Sequence, residues 1–124
     1  MYNQNKGIRI KNPSKYHSKE AYFKGERFDS QKERDRWIYL CQLQKEGKIS
    51  ELQRQVKWKL MDSVYRDQKR KRGVIIGGCS YVADFQYKED GELVIEDAKG
   101  YRTDVYILKR KWMYDKYGIL IKEV

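Results

Sequence analysis

The sequence predicts a mixed α/β (α+β) domain with a central mixed sheet flanked by helices, in the order helix, strand, strand, strand, helix, strand. Three observations lead there. A capped, helix-spaced apolar stripe runs from Ser30 to Gly47; strict alternation follows from Ile49 to Met61; and two alternating runs between Cys79 and Gly100 flank an Asp90-Gly91 pair. Stripes of period 3.6 and runs of period two, mixed along one chain, call for helices packed on a sheet.

Residues 1–19 are polar and basic, hold the only Pro and show neither period, so they are expected to form a flexible N-terminal arm. Residues 20–124 then make one domain. Ala21-Tyr22-Phe23 and Glu26-Arg27-Phe28 flank Lys24-Gly25, which suggests a short hairpin. The first helix is capped by Asp29 or Ser30 and stopped by Gly47, with Trp37, Leu40 and Cys41 as its inner stripe. Two roles stay open for Glu33. It completes a capping box with Ser30, and it also lies one turn before Trp37 on the inner face.

From Ile49 to Met61, Arg54, Val56, Trp58 and Leu60 alternate with Gln53, Gln55, Lys57 and Lys59, the pattern of a half-buried strand. Gln55 either lines a cleft, where it could orient a phosphate or a water, or is solvated. Residues 62–78 are expected to be a flexible basic loop, with five cations between Arg66 and Arg72, and Val74-Ile75-Ile76 is expected to extend the strand that follows. Lys69, Arg70, Lys71 and Arg72 are candidate phosphate contacts, against the alternative of a solvated face. The second helix opens at Thr103 or Asp104 with Val105, Leu108 and Trp112 as its stripe, and Gly118 breaks it before a last strand, 119–124. Arg102 and Lys109 on this segment are the further phosphate candidates.

The Cys79–Gly100 stretch carries the chemistry. Asp-Gly between alternating runs signals a two-residue hairpin. The turn sets Glu89 against Glu92, Phe85 against Glu96, Asp84 against Asp97 and Val82 against Lys99. Asp84, Asp97 and Lys99 then share one face. Carboxylates directly across an antiparallel pair, with Cβ atoms roughly 4.5–5.5 Å apart, repel. A cation between them removes that penalty, so the pair is a candidate metal site. Glu96 should point to the opposite face, unless a bulge there swaps it with Asp97.

Composition narrows the partner. The 124 residues carry a formal net charge of +10, which favours a polyanion, usually nucleic acid. Eleven Tyr and three Trp offer flat rings for packing or for stacking on bases. Two Cys and one His, without a Cys-x-x-Cys, argue against a disulfide framework, a structural zinc site and a Ser or Cys hydrolase. No apolar run approaches the ~20 residues of a membrane span, and no apolar leader core is present at the start. The protein is expected to be soluble and intracellular.

Asp84 followed by Asp97-Ala98-Lys99 resembles the D…(D/E)-x-K signature of the PD-(D/E)XK nucleases. The wider chain resembles a small phage-encoded, endonuclease-like family of that superfamily. The matching pieces are Lys15-Tyr16-His17, Phe28-Asp29-Ser30 with Glu33, Leu52-x-x-Gln55-x-x-Trp58-x-Leu60, Tyr81 to Phe85, Glu96 to Gly100, Thr103 to Tyr106 and Ile121 to Val124. Ala83 stands where the signature has Pro.

The resemblance implies a restriction-endonuclease-like core and a Mg²⁺-dependent endodeoxyribonuclease, with Mn²⁺ able to substitute. Asp84, Asp97 and the Ala98 carbonyl would hold the metal. Lys99 would hold or help deprotonate the attacking water and neutralise the phosphate. Glu33 would complete the acidic cluster. By analogy it also implies a DNA-cutting homodimer, acting in a bacterial host's cytoplasm from a phage or prophage gene, with Holliday junctions or other branched DNA as substrate. The alternatives are a non-catalytic DNA-binding accessory protein that retains the nuclease fold and an RNA-binding or RNA-cleaving protein.

Overall fold

The computed structural model describes residues 20–124; the expected basic arm and the Lys15-Tyr16-His17 piece lie outside the described residues. The chain divides into two units, one ending at Asp35 and one spanning Arg36–Val124, with the boundary inside the first helix.

In the first unit, β1 (Ala21–Phe23) and β2 (Glu26–Phe28) form the expected hairpin. Its turn, Lys24-Gly25, has both residues left-handed, at φ 51° and 83°, the primed geometry that matches strand twist. Helix α1 (Gln31–Lys45) begins after Ser30.

In the second unit, β3 (Ser50–Met61), β6 (Cys79–Glu89), β7 (Glu92–Asp97) and β8 (Lys122–Glu123) make a four-stranded sheet in the order β3-β6-β7-β8. The first three strands are antiparallel and β8 runs parallel to β7, so the sheet is mixed as expected. The β6–β7 hairpin turns on Asp90-Gly91, at φ 53° and 80°, and its ladder runs from Glu89↔Glu92 to Phe85↔Glu96. Helix α2 (Asp104–Tyr117) is capped by Thr103, whose hydroxyl accepts from the Tyr106 N–H, and it ends on left-handed Gly118.

Two buried clusters show how the sheet is covered. Leu60, Tyr81, Ala83 and Ile95 pack with Tyr106 and Met113 of α2. Phe85 and Tyr87 pack with Leu40 of α1 and with Ile49. Ile95 pairs with Gln86 and so stands on the face opposite Phe85. Yet it packs with Tyr81 and Ala83, which a regular strand would place on Phe85's side. The inward side of β6 therefore changes at Asp84.

The cause lies next door in β3. Arg54 pairs with Phe85 and Val56 with Ala83, while Gln55 between them has φ 53°. A left-handed residue interrupts the pleat, so Arg54 lies over the Trp37 ring of α1, 5.8 Å from its centroid, whereas Trp58 joins the α2 cluster. One alternating sequence thus fills cores on both faces of the sheet.

Two expectations are corrected. Residues 62–78 are no loop: β4 (Val64–Asp67) and β5 (Arg72–Ile76) pair with each other as a separate ribbon. Val74-Ile75-Ile76 therefore pairs backward rather than extending β6. Gly78 explains the break, because a Cβ there would lie 2.8 Å from the Met61 carbonyl oxygen. The stripe of α2 is the second. Trp112 packs partly buried against the core as expected, but Val105 and Leu108 are 61% and 59% exposed, and the buried residues are Tyr106 and Met113, seven apart. Tyr106 wins because its ring packs inward while its hydroxyl donates to Glu123 Oε2 at 2.8 Å.

Candidate active site

The β6–β7 ladder ends one step before the two aspartates, at Phe85↔Glu96. The expected facing pairs Asp84–Asp97 and Val82–Lys99 are therefore not ladder pairs. In their place Asp84 closes the gap with its side chain, its Oδ2 accepting from the Ala98 N–H at 2.9 Å. This lies at the level where β6 changes its inward side, and there the Asp84 carboxylate reaches the next strand. Gln55 makes a long contact, its Nε2 3.5 Å from Asp84 Oδ1.

Asp97 is buried, 1% exposed. Its Oδ2 accepts a short hydrogen bond from the Tyr81 hydroxyl. Burial, then the neighbouring carboxylate, pushes the Tyr81 phenol well above its ordinary pKa, so it stays a donor. Asp97 Oδ1 is buried and accepts no hydrogen bond. Lys99 Nζ stands 3.1 Å from it, within ion-pair reach but without hydrogen-bond alignment. The ammonium also lies over the Tyr106 ring, 4.3 Å from its centroid, a second hold on its position.

Glu96, one residue earlier, is in the opposite state. Arg36 grips it with both arms, Nε to Oε1 at 2.8 Å and Nη2 to Oε2 at 2.7 Å, and the Tyr87 hydroxyl also donates to Oε2. The guanidinium's pKa is raised, mainly by its hydrogen bond to Glu96. Both Glu96 oxygens are occupied, and the group ties α1 to β7. Of this adjacent pair, only Asp97 has an oxygen that accepts no hydrogen bond, and that oxygen faces the Lys99 ammonium.

Asp84, Asp97, Ala98, Lys99 and Gln55 thus come together around the end of the hairpin. Glu33 belongs to the first unit, where it is buried and its backbone N–H donates to Ser30 Oγ at 3.1 Å, half of the capping box. Lys69, Arg70 and Lys71 form the exposed tip of the β4–β5 ribbon and Arg72 opens β5. Arg102 is committed to Glu123, Nη2 to Oε1 at 2.5 Å, and Lys109 is half-buried on α2.

Sequence reasoning assigned no role to Tyr81 or Tyr106. Their odd and seven-spaced positions carried a signal for burial, but only the fold brings their hydroxyl and ring against Asp97 and Lys99.

The donor set fits a hard cation. Mg²⁺ takes one or two carboxylates and keeps waters, and a buried carboxylate oxygen without a hydrogen bond is what such an ion would satisfy. Among the described residues no group of three or more acidic, His or Cys donors could form a complete cage. No helix of the described residues is long and apolar enough to cross a membrane.

Residues 13–123 match a family model described as a protein of unknown function, DUF1064. No curated protein and no solved structure matches the chain.

Proposed function

The chain belongs to the DUF1064 family, and we propose that it is a metal-dependent endodeoxyribonuclease built on a restriction-endonuclease-like core. The order α1, β3, β6, β7, α2, β8, with the β4–β5 ribbon inserted, supports that core. The observation that carries the reading is the Oδ1 of buried Asp97, which accepts no hydrogen bond and stands 3.1 Å from the Lys99 ammonium, one residue from a fully hydrogen-bonded Glu96.

Asp97 and Asp84 would hold Mg²⁺, with Ala98 between them as a neutral candidate. When bound, the ion supplies charge neutralisation at the phosphate and makes the attacking water more acidic. Tyr81 holds Asp97 through Oδ2, which leaves Oδ1 to Lys99 and to the ion. Lys99, steadied by Tyr106, places a positive charge where the phosphate gains negative charge. Gln55 is positioned to orient a water or a phosphate oxygen at Asp84. The net charge of +10 draws the polyanion in.

The test is cleavage of a labelled four-way junction, a matched duplex and a single strand in Mg²⁺, Mn²⁺ or EDTA, comparing wild type with Asp97→Asn. Metal-dependent cutting that vanishes in the variant is expected, and a preference for the junction would identify branched DNA as the substrate. Cutting that survives EDTA or the substitution sinks the proposal, as does the absence of cutting in every metal.

A further inference from the structure

The β4–β5 ribbon stands outside the site just described. Among the described residues its two strands pair only with each other and form a sheet of their own. The base is fastened to the end of β3, since the Gly78 N–H donates to Ser63 Oγ at 2.9 Å and only a glycine fits against the Met61 carbonyl. At the far end the chain reverses through Lys69, Arg70 and Lys71, all exposed. Asp67 accepts from Arg70, Nη1 to Oδ2 at 3.2 Å, and is the only acid among the residues from Arg66 to Arg72.

The shaft is the unusual part. Val74, Ile75 and Ile76 are 60%, 60% and 52% exposed on consecutive positions. A register shift falls between the pairs Tyr65↔Val74 and Val64↔Ile76, so Ile75 is the extra residue of a bulge and the alternation of sides is broken. Three exposed aliphatic residues in a row on a sheet edge invite aggregation unless something covers them.

We propose that the ribbon lies in the major groove of duplex DNA, with Val74, Ile75 and Ile76 against base edges and the basic tip on the phosphates. The inference rests on the nucleic-acid reading above and names the duplex arm as the part of the substrate that the ribbon grips. A major groove about 12 Å wide admits a two-stranded β-ribbon, and the thymine C5-methyl is its apolar feature. Charge decides against a second copy of the chain as the cover. Paired ribbons would bring two sets of five cations together, whereas phosphates flanking a groove neutralise them.

The experiment measures binding of the full chain, in EDTA, to an alternating dA-dT duplex and to its dA-dU analogue, which lacks the methyl groups. Wild type should bind the methylated duplex several-fold more tightly. The variant V74S/I75S/I76S should bind both duplexes alike, and K69A/K71A should keep the methyl preference while the salt slope falls by about two. Wild type indifferent to the methyl groups, or the triple variant retaining the preference, overturns the proposal. So does a triple variant whose DNA affinity is unchanged but which loses self-association in sedimentation. Because no metal is present, failure of cleavage would sink the nuclease reading and leave this result standing, and the converse holds.

Discussion

Tyr81 donates its hydroxyl to Asp97 Oδ2 from sixteen residues away, and the other oxygen of the same carboxylate is left without a hydrogen bond. The phenol fixes the acid's orientation through one oxygen alone. Tyr81→Phe should therefore leave the fold intact and cut the cleavage rate about 10–100-fold, the usual cost of losing a partner that orients a ligand. A Mn²⁺ titration of wild type and variant, beside the cleavage rate, separates this from a packing effect: affinity should fall with the rate. Unchanged metal affinity and rate would make the hydrogen bond merely structural.

Arg36 and Glu96 are predicted to act on stability alone. Arg36→Ala leaves a fully buried carboxylate with its main counter-charge removed. Breaking one side of such a pair costs about 3–5 kcal/mol. Chemical denaturation should show a loss of that order, while cleavage per folded molecule stays near wild type. A large fall in cleavage without a fall in stability would move Glu96 into the active site.

Glu123 predicts a pH dependence. The hydrogen bond from Arg102 comes first, followed by the Tyr106 hydroxyl and the Arg110 charge. Together they outweigh burial and bring its pKa from 4.5 down to about 2. A depressed folded-state pKa contributes stability that is present above the unfolded value and is lost as pH falls through the folded one. Wild type should lose more stability than Glu123→Gln between about pH 4.5 and 2, and the two curves should run parallel above that window. Denaturant melts at stepped pH check this; parallel curves throughout would contradict it.

Gln55 holds a left-handed backbone in the middle of a strand, at φ 53°. For a residue with a Cβ that conformation costs roughly 1–2 kcal/mol, which glycine avoids at an entropic penalty of about 0.5–1 kcal/mol. Gln55→Gly should be as stable as wild type or up to about 1 kcal/mol more stable, yet should cleave more slowly because the contact at Asp84 is gone. Thermal melts and cleavage rates on one preparation decide it. Lower stability would show that the side chain, rather than the backbone turn, sets the geometry.

Much of the scaffold was legible in the chain. The Asp90-Gly91 turn and its register, the Thr103 and Gly118 caps, the Lys24-Gly25 hairpin and the pairing of Phe85 with Glu96 all follow from residues within a few positions of one another. Turn chemistry and capping are local, so sequence spacing carries them. The α2 stripe misled because Val105 and Leu108 look more apolar than Tyr106, although a tyrosine ring with a partner for its hydroxyl buries at least as well. The ribbon misled because a charge run reads as a loop, while the strand pairing of Val64–Tyr65 with Val74–Ile76 spans it.

By itself the sequence determined the hairpin that brings Asp84, Asp97 and Lys99 to one neighbourhood, the helices on either side of it and the basic charge around it. Only the tertiary structure decided which acid is satisfied and which is not. Glu96 meets Arg36 and Tyr87, while Asp97 meets Tyr81 and keeps one oxygen without a hydrogen bond, beside the Lys99 ammonium. It also decided that the inward side of β6 changes at Asp84, beside left-handed Gln55. Alternation states that every second residue points the same way. Which way is inward depends on what packs from each side, and here helices cover both faces of the sheet.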